Sequence, residues 1–276
     1  MPDPGLSLLG FMDQAQAIVH LEQVCIVANP TPAILMGEWM AAKANLGPPQ
    51  PKAGQPDIQL MSRTHPYIQS LAAQPWVAQL FQSPDFVQAN FAIVEIDPLL
   101  AFQHTVSEAR IAQHNASLSP TPTLDEMLPI CLPQTLPNEP ASLQLQSHSL
   151  LIKARSLNMR LRGQGLFGQI AGIDFGPSVP LVQVSRLNGR CYLSNGFHRA
   201  TYLRKSGATY MPCILRDASS AASVGINDNT FGLPLLESAD PPTVGHFAQG
   251  KAHSVSLRRT SRVIHLSWSE WAVYDE

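Results

Sequence analysis

Residues 192–207, YLSNGFHRATYLRKSG, bring together residue types that can bind an anion. A strand-like run ends in Ser194-Asn195-Gly196, and the residues that follow predict a helix that begins at once. The first turn of an α-helix carries unpaired backbone N–H groups and the positive end of the helix dipole. Because glycine has no Cβ, Gly196 would let an anion approach those N–H groups closely. The segment therefore predicts a phosphate-binding turn at residues 194–199.

Two cations at the same point strengthen this prediction. His198 and Arg199 add side-chain donors, and the planar guanidinium of arginine suits two phosphate oxygens. Ser194 and Asn195 would assist through a hydroxyl and an amide group. An ordinary turn followed by two surface cations would give the same pentapeptide. The five residues alone do not separate the two interpretations.

The flanking residues predict the elements that position this turn. Residues 179–195 read as two strands joined by Asn188-Gly189, and Asn-Gly is the strongest short signal for a hairpin turn. A short helix over residues 198–206 is expected to end at Gly207, in the left-handed conformation that closes many helices. Residues 210–216, YMPCILR, predict the strand that follows.

This unit resembles the core of the ParB/sulfiredoxin-like superfamily. Gly196, His198 and Arg199 match the turn of that family. Gly207 matches the end of its helix, and MPCIL resembles its proline-containing strand. Residues 94–103, VEIDPLLAFQ, resemble its first strand. The resemblance covers about residues 91–216 and implies binding of nucleotide phosphates on the turn, with ATP, ADP or CTP and Mg²⁺ as the expected ligands.

The branches of that family differ in chemistry, and this chain departs from each. Sulfiredoxins keep a reactive cysteine immediately before the His-Arg pair, where this chain has Phe197. ParB-type proteins carry a helix-turn-helix after the core, whereas residues 217–276 predict loops and strands. Free-serine kinases have a turn similar to D-G-H-H-R, from which Asn195 and Phe197 depart. The resemblance therefore implies nucleotide binding more directly than any one reaction.

Carboxylates near the turn would have to supply a metal site or a general base. Mg²⁺ requires oxygen ligands and usually bridges phosphates, and Glu95 and Asp97 end the first predicted strand. Asp97 is the candidate metal ligand, and Glu95 and His198 are the candidate catalytic groups. Gln103 follows the strand where the loop of the family contacts ligand. The alternatives are a turn residue before Pro98, a solvent-facing strand position for Glu95 and ordinary loop polarity for Gln103.

Charge is distributed unevenly along the chain. Residues 1–150 contain four basic and twelve acidic residues, and residues 151–216 contain ten basic residues and one acidic residue. Such a basic segment suggests a polyanionic partner, either a nucleotide or a nucleic acid. A basic face that docks on the acidic half of the same chain explains the pattern equally well.

The chain as a whole predicts an α+β fold. Residues 1–90 favour helices, residues 91–216 contain the predicted ParB/sulfiredoxin-like mixed core, and residues 217–276 predict a short β-rich extension. Within the core, residues 116–146 are rich in Pro, Ser, Thr and Gln and predict a long loop or insertion.

Further features of the sequence indicate where in the cell the protein is expected. The start of the chain lacks a basic segment followed by an apolar one, and no apolar run reaches the roughly 18 residues of a membrane span. The four cysteines are widely spaced without a metal-like pattern, so buried thiols are expected. A cytoplasmic protein without a membrane partner is therefore expected.

Three functional hypotheses follow. The first is a nucleotide-binding protein, with phosphotransfer or nucleotide hydrolysis as candidate reactions. The second is a nucleic-acid-binding ParB-like nuclease or regulator that uses the basic segment 151–216. The third is an interaction module without catalysis. Stabilisation by nucleotides would indicate the first, and nucleic-acid binding that weakens steeply with salt would indicate the second.

Overall fold

The computed structural model describes residues 3–113, 118–136, 141–154, 159–167, 170–177, 179–258 and 262–269. The helices are α1 (Gln14–Val24), α2 (Pro32–Ala44), α3 (Pro66–Ala72), α4 (Pro75–Gln82), α5 (Glu108–Ala112), α6 (Leu124–Cys131), α7 (Phe197–Lys205), α8 (Ala221–Val224), α9 (Leu233–Leu236) and α10 (Val244–Ala248). A single 3-10 turn, Leu9–Phe11, precedes α1.

The strands are β1 (Asp3–Ser7), β2 (Ile58–Leu60), β3 (Asn90–Glu95), β4 (Thr105–Ser107), β5 (Ala141–Gln146), β6 (Ser149–Ala154), β7 (Met159–Phe167), β8 (Ile170–Pro177), β9 (Gln183–Leu187), β10 (Arg190–Asn195), β11 (Tyr210–Asp217), β12 (His253–Leu257) and β13 (Arg262–Ser267). Helices and mainly antiparallel strands share the chain, so the α+β class predicted from the sequence is confirmed.

The described residues separate into two units. Unit 1 contains Met1–Gln134 and Leu181–Arg258, and unit 2 contains Thr135–Pro180 and Arg259–Glu276. The boundaries predicted at residues 90 and 216 do not coincide with these units. The reason is strand pairing, because β1 pairs with β12 near the other end of the chain and β2 pairs with β3. Such long-range pairing leaves no signal in local composition.

Unit 1 contains a five-stranded sheet in the order β10-β9-β11-β3-β2 and a three-stranded sheet in the order β12-β1-β4. In the larger sheet β11 runs parallel to β9 and antiparallel to β3, and Ile214 lies opposite both Gln183 and Phe91. Every residue of β11 from Met211 to Arg216 is buried. This strand therefore lies in the core of unit 1.

The hairpin and helix around the predicted turn form as the sequence indicates. Asn188 and Gly189 have φ of 51° and 74°, and two successive positive φ values are typical of a tight hairpin turn of type I′. Helix α7 follows β10 after the single residue Gly196 and ends before Gly207, whose φ is 94°. A Cβ at Gly207 would lie 2.7 Å from the carbonyl oxygen of Pro120. The predicted hairpin, helix and helix end are confirmed.

The prediction of a long loop at residues 116–146 is partly wrong. Helix α6 lies within it, and β5 occupies its end. Thr123 accepts a hydrogen bond from the backbone of Glu126, and Glu126 accepts one from the backbone of Thr123, so the two residues form a capping box that starts α6. The proline-rich composition of the stretch concealed this local signal. Residues 116–117 and 137–140 of the stretch lie outside the described residues.

Unit 2 contains a three-stranded antiparallel sheet in the order β13-β6-β5 and the two-stranded hairpin β7-β8. Residues 150–163 fit a strand pair or a helix by sequence, and the structure shows two strands in this stretch, β6 and the start of β7. Leu143 and Leu145 of β5 are 71% and 74% exposed.

Across the described part of the chain, the helices are all too short or too polar to cross a membrane.

Candidate anion-binding site

The turn between β10 and α7 places a glycine at the N-terminus of a nine-residue helix. Gly196 has φ 104° and ψ 24°, which is the left-handed region, and its carbonyl accepts the first helical hydrogen bond, from Ala200 at 2.9 Å. A Cβ at this position would lie 2.8 Å from Cγ2 of Val182. Both the conformation and the space therefore require glycine.

His198 lies half-buried in the first turn of α7 and contacts the loop that follows β3. Its Nε2 accepts a hydrogen bond of 3.1 Å from the backbone N–H of Ser107. A ring nitrogen that accepts from an amide carries no proton, so in this contact His198 is the neutral imidazole with its proton on Nδ1. In this contact His198 therefore carries no full positive charge.

Ser107, the partner of His198, is itself a junction between elements. Its hydroxyl donates to the Asp3 carboxylate at 2.8 and 2.9 Å and accepts from the backbone N–H of Arg110 at 3.1 Å, which caps α5. The His198 contact thus joins α7 to β1, β4 and α5.

Arg199 joins α7 to α6. Its Nη1 donates to the carbonyl oxygens of Ile130 and Cys131, at 3.4 and 3.3 Å, where α6 ends. A guanidinium at a helix C-terminus satisfies unpaired carbonyls and complements the negative end of the dipole. Burial lowers the pKa of Arg199 from its usual value, and the nearby Cys131 opposes this shift. This contact gives Arg199 a structural role within unit 1.

The two polar residues before the glycine are also in contact with backbone or side chains of the sheet. The hydroxyls of Ser194 and Ser185 are hydrogen-bonded at 2.6 Å. The amide of Asn195 donates to the carbonyl oxygen of Leu181 at 2.9 Å. These contacts hold the end of β10 against β9 and against Leu181, which precedes β9.

The loop after β3 does reach the turn, as the resemblance implies. Phe197 is buried and packs edge-on against Phe102, with ring centroids 5.4 Å apart. The Gln103 amide donates to the carbonyl oxygen of Thr105 in the same loop. Since the Ser107 contact to His198 is four residues further on, the loop of residues 102–107 lies along the start of α7.

The two carboxylates predicted to lie near the turn, Asp97 and Glu95, are located away from it. Asp97 forms an ion pair with Arg204, with its Oδ1 2.7 Å from Nε, and its Oδ2 accepts from Gln249 at 3.0 Å. Arg204 is eight residues beyond Gly196, about 12 Å along the helix at 1.5 Å per residue. Asp97 therefore lies at the C-terminal end of α7, away from the turn.

Glu95 lies on the same side as Asp97. It is the register partner of Tyr210, at the start of β11, and its carboxylate accepts from the backbone N–H of Asp57 at 3.2 Å. The structure thus brings the loop of residues 102–107 to the turn through Phe102 and Ser107, and it does not add Glu95 or Asp97. The Gln103 side chain contacts Thr105 within that loop. The described residues hold no group of three or more His, Cys, Asp or Glu side chains arranged for a metal ion.

The basic segment is largely engaged within its own unit wherever its side chains are described. Arg186 and Lys205 form ion pairs with Asp217 and Glu108, at 2.6 and 3.2 Å. Arg190 donates to the carbonyl oxygen of Leu236 at 2.9 Å. Together with the contacts of Arg199 and Arg204, these pairs favour docking of basic residues on acidic and carbonyl groups of the same chain over an open basic face.

One arginine of this segment was not singled out by the sequence. Arg216 ends the apolar run of β11 and is 7% exposed. Its Nη2 donates to the carbonyl oxygen of Ser223, and its guanidinium lies 5.1 Å from the centroid of the Phe86 ring. Its Nε and Nη1 are buried without a hydrogen-bond partner. The available signal was a charged residue that continues a fully apolar strand, which predicts a buried charge.

No protein-family model matches the chain, and comparisons with curated proteins and with solved structures find no significant similarity. The resemblance to the ParB/sulfiredoxin-like superfamily rests on the residues of the turn and its flanking elements.

Proposed function

We propose that the protein binds a nucleotide or another phosphorylated small molecule at the turn of residues 194–199. The observation that carries the proposal is Gly196 as the N-cap of α7. Glycine offers no side-chain oxygen to the N–H groups of the first turn, whereas Ser, Thr, Asp or Asn at that position would. The positive end of α7 is therefore not offset by its own cap and favours an anion.

The surroundings of the turn support the same proposal. The loop of residues 102–107 lies along the start of α7, where the backbone N–H of Ser107 contacts His198. The hairpin β9-β10, the glycine turn, α7 and β11 follow one another in the order that the ParB/sulfiredoxin-like resemblance implies. On this basis ATP, ADP and CTP with Mg²⁺ are the first ligands to test.

We propose that the turn binds the ligand, and we do not propose a reaction there. Phosphotransfer and hydrolysis need a base or a metal carboxylate beside the phosphates. Glu95 and Asp97, the two candidates, lie toward the far end of α7 and form other contacts. Phe197 provides no thiol, because its ring is buried against Phe102.

A thermal-shift experiment tests the proposal. Millimolar ATP, ADP or CTP with Mg²⁺ is expected to raise the melting temperature of the wild type, since a ligand that binds only the native state stabilises it. The variants His198→Ala and Arg199→Ala are expected to lose this increase. Arg186→Ala is the matched control, because it removes a cation of the same sheet that pairs with Asp217 at the surface. A wild type that does not respond to any of the three nucleotides would contradict the proposal.

A further inference from the structure

Arg216 has more hydrogen-bond donors than its surroundings satisfy. A guanidinium has five N–H bonds, one on Nε and two on each Nη. Nη2 donates to the carbonyl oxygen of Ser223, while Nε and Nη1 are buried and have no partner. Three N–H bonds therefore lack an acceptor in a side chain that is 7% exposed.

Buried N–H donors without a partner lower the stability of the native state unless a bound group supplies an acceptor. Arginine does not lose its proton in proteins, and an unpaired buried charge or donor destabilises the native state. Burial lowers the pKa of Arg216, and the charge of Asp85 opposes this shift. The Phe86 ring, 5.1 Å from the guanidinium carbon, contributes a cation–π contact and no oxygen.

The residue beside Arg216 on the sheet adds a further donor. Arg216 and Ser185 are register partners in the parallel pair β11-β9, so their side chains lie on the same face of the sheet. Ser185 is fully buried, and its hydroxyl is hydrogen-bonded to that of Ser194 at 2.6 Å. In a pair of hydroxyls one proton lies between the oxygens and the other remains available to an outside acceptor. Arg216 and Ser185, neighbours on one face of the sheet, therefore both have donors to offer an oxyanion.

We infer that Arg216 is an anion-binding residue and that it takes the phosphate group of a small molecule, with Ser185 as its register neighbour on the sheet. Phosphate has several acceptor oxygens, which matches three guanidinium N–H bonds and one hydroxyl proton. The inference goes beyond the proposed function, because it stands on the unsatisfied donors of Arg216 and not on the N-terminus of α7. The two positions are neighbours through Ser194.

Access to Arg216 requires a local movement, because Nε and Nη1 have essentially no exposed surface. The segment that carries Phe86 is held by bonds within itself, from Phe86 N–H to Ser83 and from Ala89 N–H to Phe86, each 2.9 Å. Val87 in the same segment is 65% exposed. A displacement of Phe86 would therefore open the guanidinium without breaking the sheet.

Inorganic phosphate is the probe that tests the inference, with sodium chloride at matched ionic strength as the reference. At ten times its dissociation constant, phosphate is expected to raise the melting temperature of the wild type by roughly 3 to 6 °C. Arg216→Met keeps the length and apolar packing of the side chain and is expected to abolish the increase. Arg216→Lys keeps the charge, and it is expected to weaken phosphate binding by about tenfold or more because the planar fork is lost.

The turn variants distinguish this inference from the proposed function. His198→Ala is expected to retain the response to phosphate that Arg216→Met loses, which would support the inference. If Arg216→Met keeps the response and His198→Ala loses it, phosphate binds at the turn, and the inference is overturned while the proposed function stands. No response in the wild type would overturn the inference. If Arg216→Met does not fold, calorimetry on Arg216→Lys decides, and unchanged phosphate affinity would refute the role of Arg216.

Discussion

His198 accepts a hydrogen bond from the backbone N–H of Ser107, and this 3.1 Å contact joins two elements 91 residues apart in the chain. The sequence presents His198 as a cation at a phosphate-binding turn. The contact makes it a neutral acceptor that fixes the loop after β3 against α7. The same side chain therefore positions the loop of residues 102–107 beside the start of α7.

His198→Ala is expected to lower the free energy of unfolding by about 1 to 2 kcal/mol, because it leaves the Ser107 amide without an acceptor. Urea unfolding monitored by fluorescence would measure this loss. His198→Gln is the matched variant, since the glutamine side-chain oxygen can occupy the place of Nε2 and accept the same hydrogen bond. Equal destabilisation by alanine and glutamine would contradict a role for the acceptor.

Gly196→Ala is expected to cost at least about 2 kcal/mol of unfolding free energy. The left-handed conformation alone costs about 1 to 2 kcal/mol for a residue with a Cβ, and here the Cβ would also lie 2.8 Å from Cγ2 of Val182. Gly250→Ala is the control, because Gly250 has φ 73° and no atom within 4 Å of a built Cβ. It should show the conformational cost without the clash.

The double variant Gly196→Ala/Val182→Ala separates the two contributions at the turn. Removing the Val182 methyl groups relieves the clash, so the two substitutions together should cost less than the sum of their separate effects. Strict additivity in denaturant unfolding would show that the close approach of Val182 does not matter.

The elements that the sequence predicts correctly are those marked by short local signals. Asn188-Gly189 and Gly207 are signals that span only a few residues, so they predict the hairpin and the end of α7 correctly. Thr123 and Glu126 are an equally local signal for α6, but the prolines around them favoured a loop.

Positions fixed by contacts far along the chain were not predictable. Asp97 follows the first strand of the predicted core and was assigned to the site, yet Arg204, 107 residues later, holds it at the other end of α7. The unsatisfied donors of Arg216 depend on how β9, α8 and the Phe86 segment surround the strand. A sequence shows that an arginine ends an apolar run, but it does not show which of its nitrogens find an acceptor.

Two buried histidines, His20 and His246, and the half-buried His104 predict that the protein loses stability in mild acid. Burial lowers the pKa values of His20, His104 and His246 from 6.5 to about 4, and the charges of His104 and Lys251 lower those of His20 and His246 further. The His20 and His104 rings are 5.5 Å apart, and the His246 ring is 4.8 Å from that of Phe11. The surroundings of these rings favour the neutral form.

The direction of this pH dependence follows from proton binding in the folded and unfolded states. Below pH 6.5 the unfolded chain protonates these histidines, whereas the folded protein takes up the protons only near pH 4. The stability they contribute is thus complete above about pH 6.5 and is lost as the pH falls from 6.5 to 4, by up to about 3 kcal/mol for each residue. Urea unfolding at several pH values between 8 and 4 would measure the slope.

His104→Phe is the variant for this pH dependence, because it keeps an aromatic ring against Phe231, 4.4 Å away, and removes one titrating group. It should flatten the slope between pH 6.5 and 4. A slope that is the same in the wild type and in His104→Phe would contradict the assignment.

The ion pair of Asp97 and Arg204 predicts a structural role for the carboxylate. Its side chains are 21% and 28% exposed, compared with 62% and 48% for the Asp217–Arg186 pair. Asp97→Asn is therefore expected to cost about 1 to 3 kcal/mol, since it also weakens the contact to Gln249 at 3.0 Å. Asp217→Asn, the exposed control, is expected to cost less than about 1 kcal/mol.

The same variants decide whether Asp97 has the metal-ligand role that the sequence suggested. If the role of Asp97 is structural, Mg²⁺ and EDTA should leave the melting temperature of the wild type and of Asp97→Asn equally unchanged, and Arg204→Ala should also destabilise the protein. If Mg²⁺ instead stabilised the wild type and not Asp97→Asn, the carboxylate would be a magnesium ligand. Arg204 would then be a competitor for the metal, and Arg204→Ala should bind Mg²⁺ more tightly than the wild type.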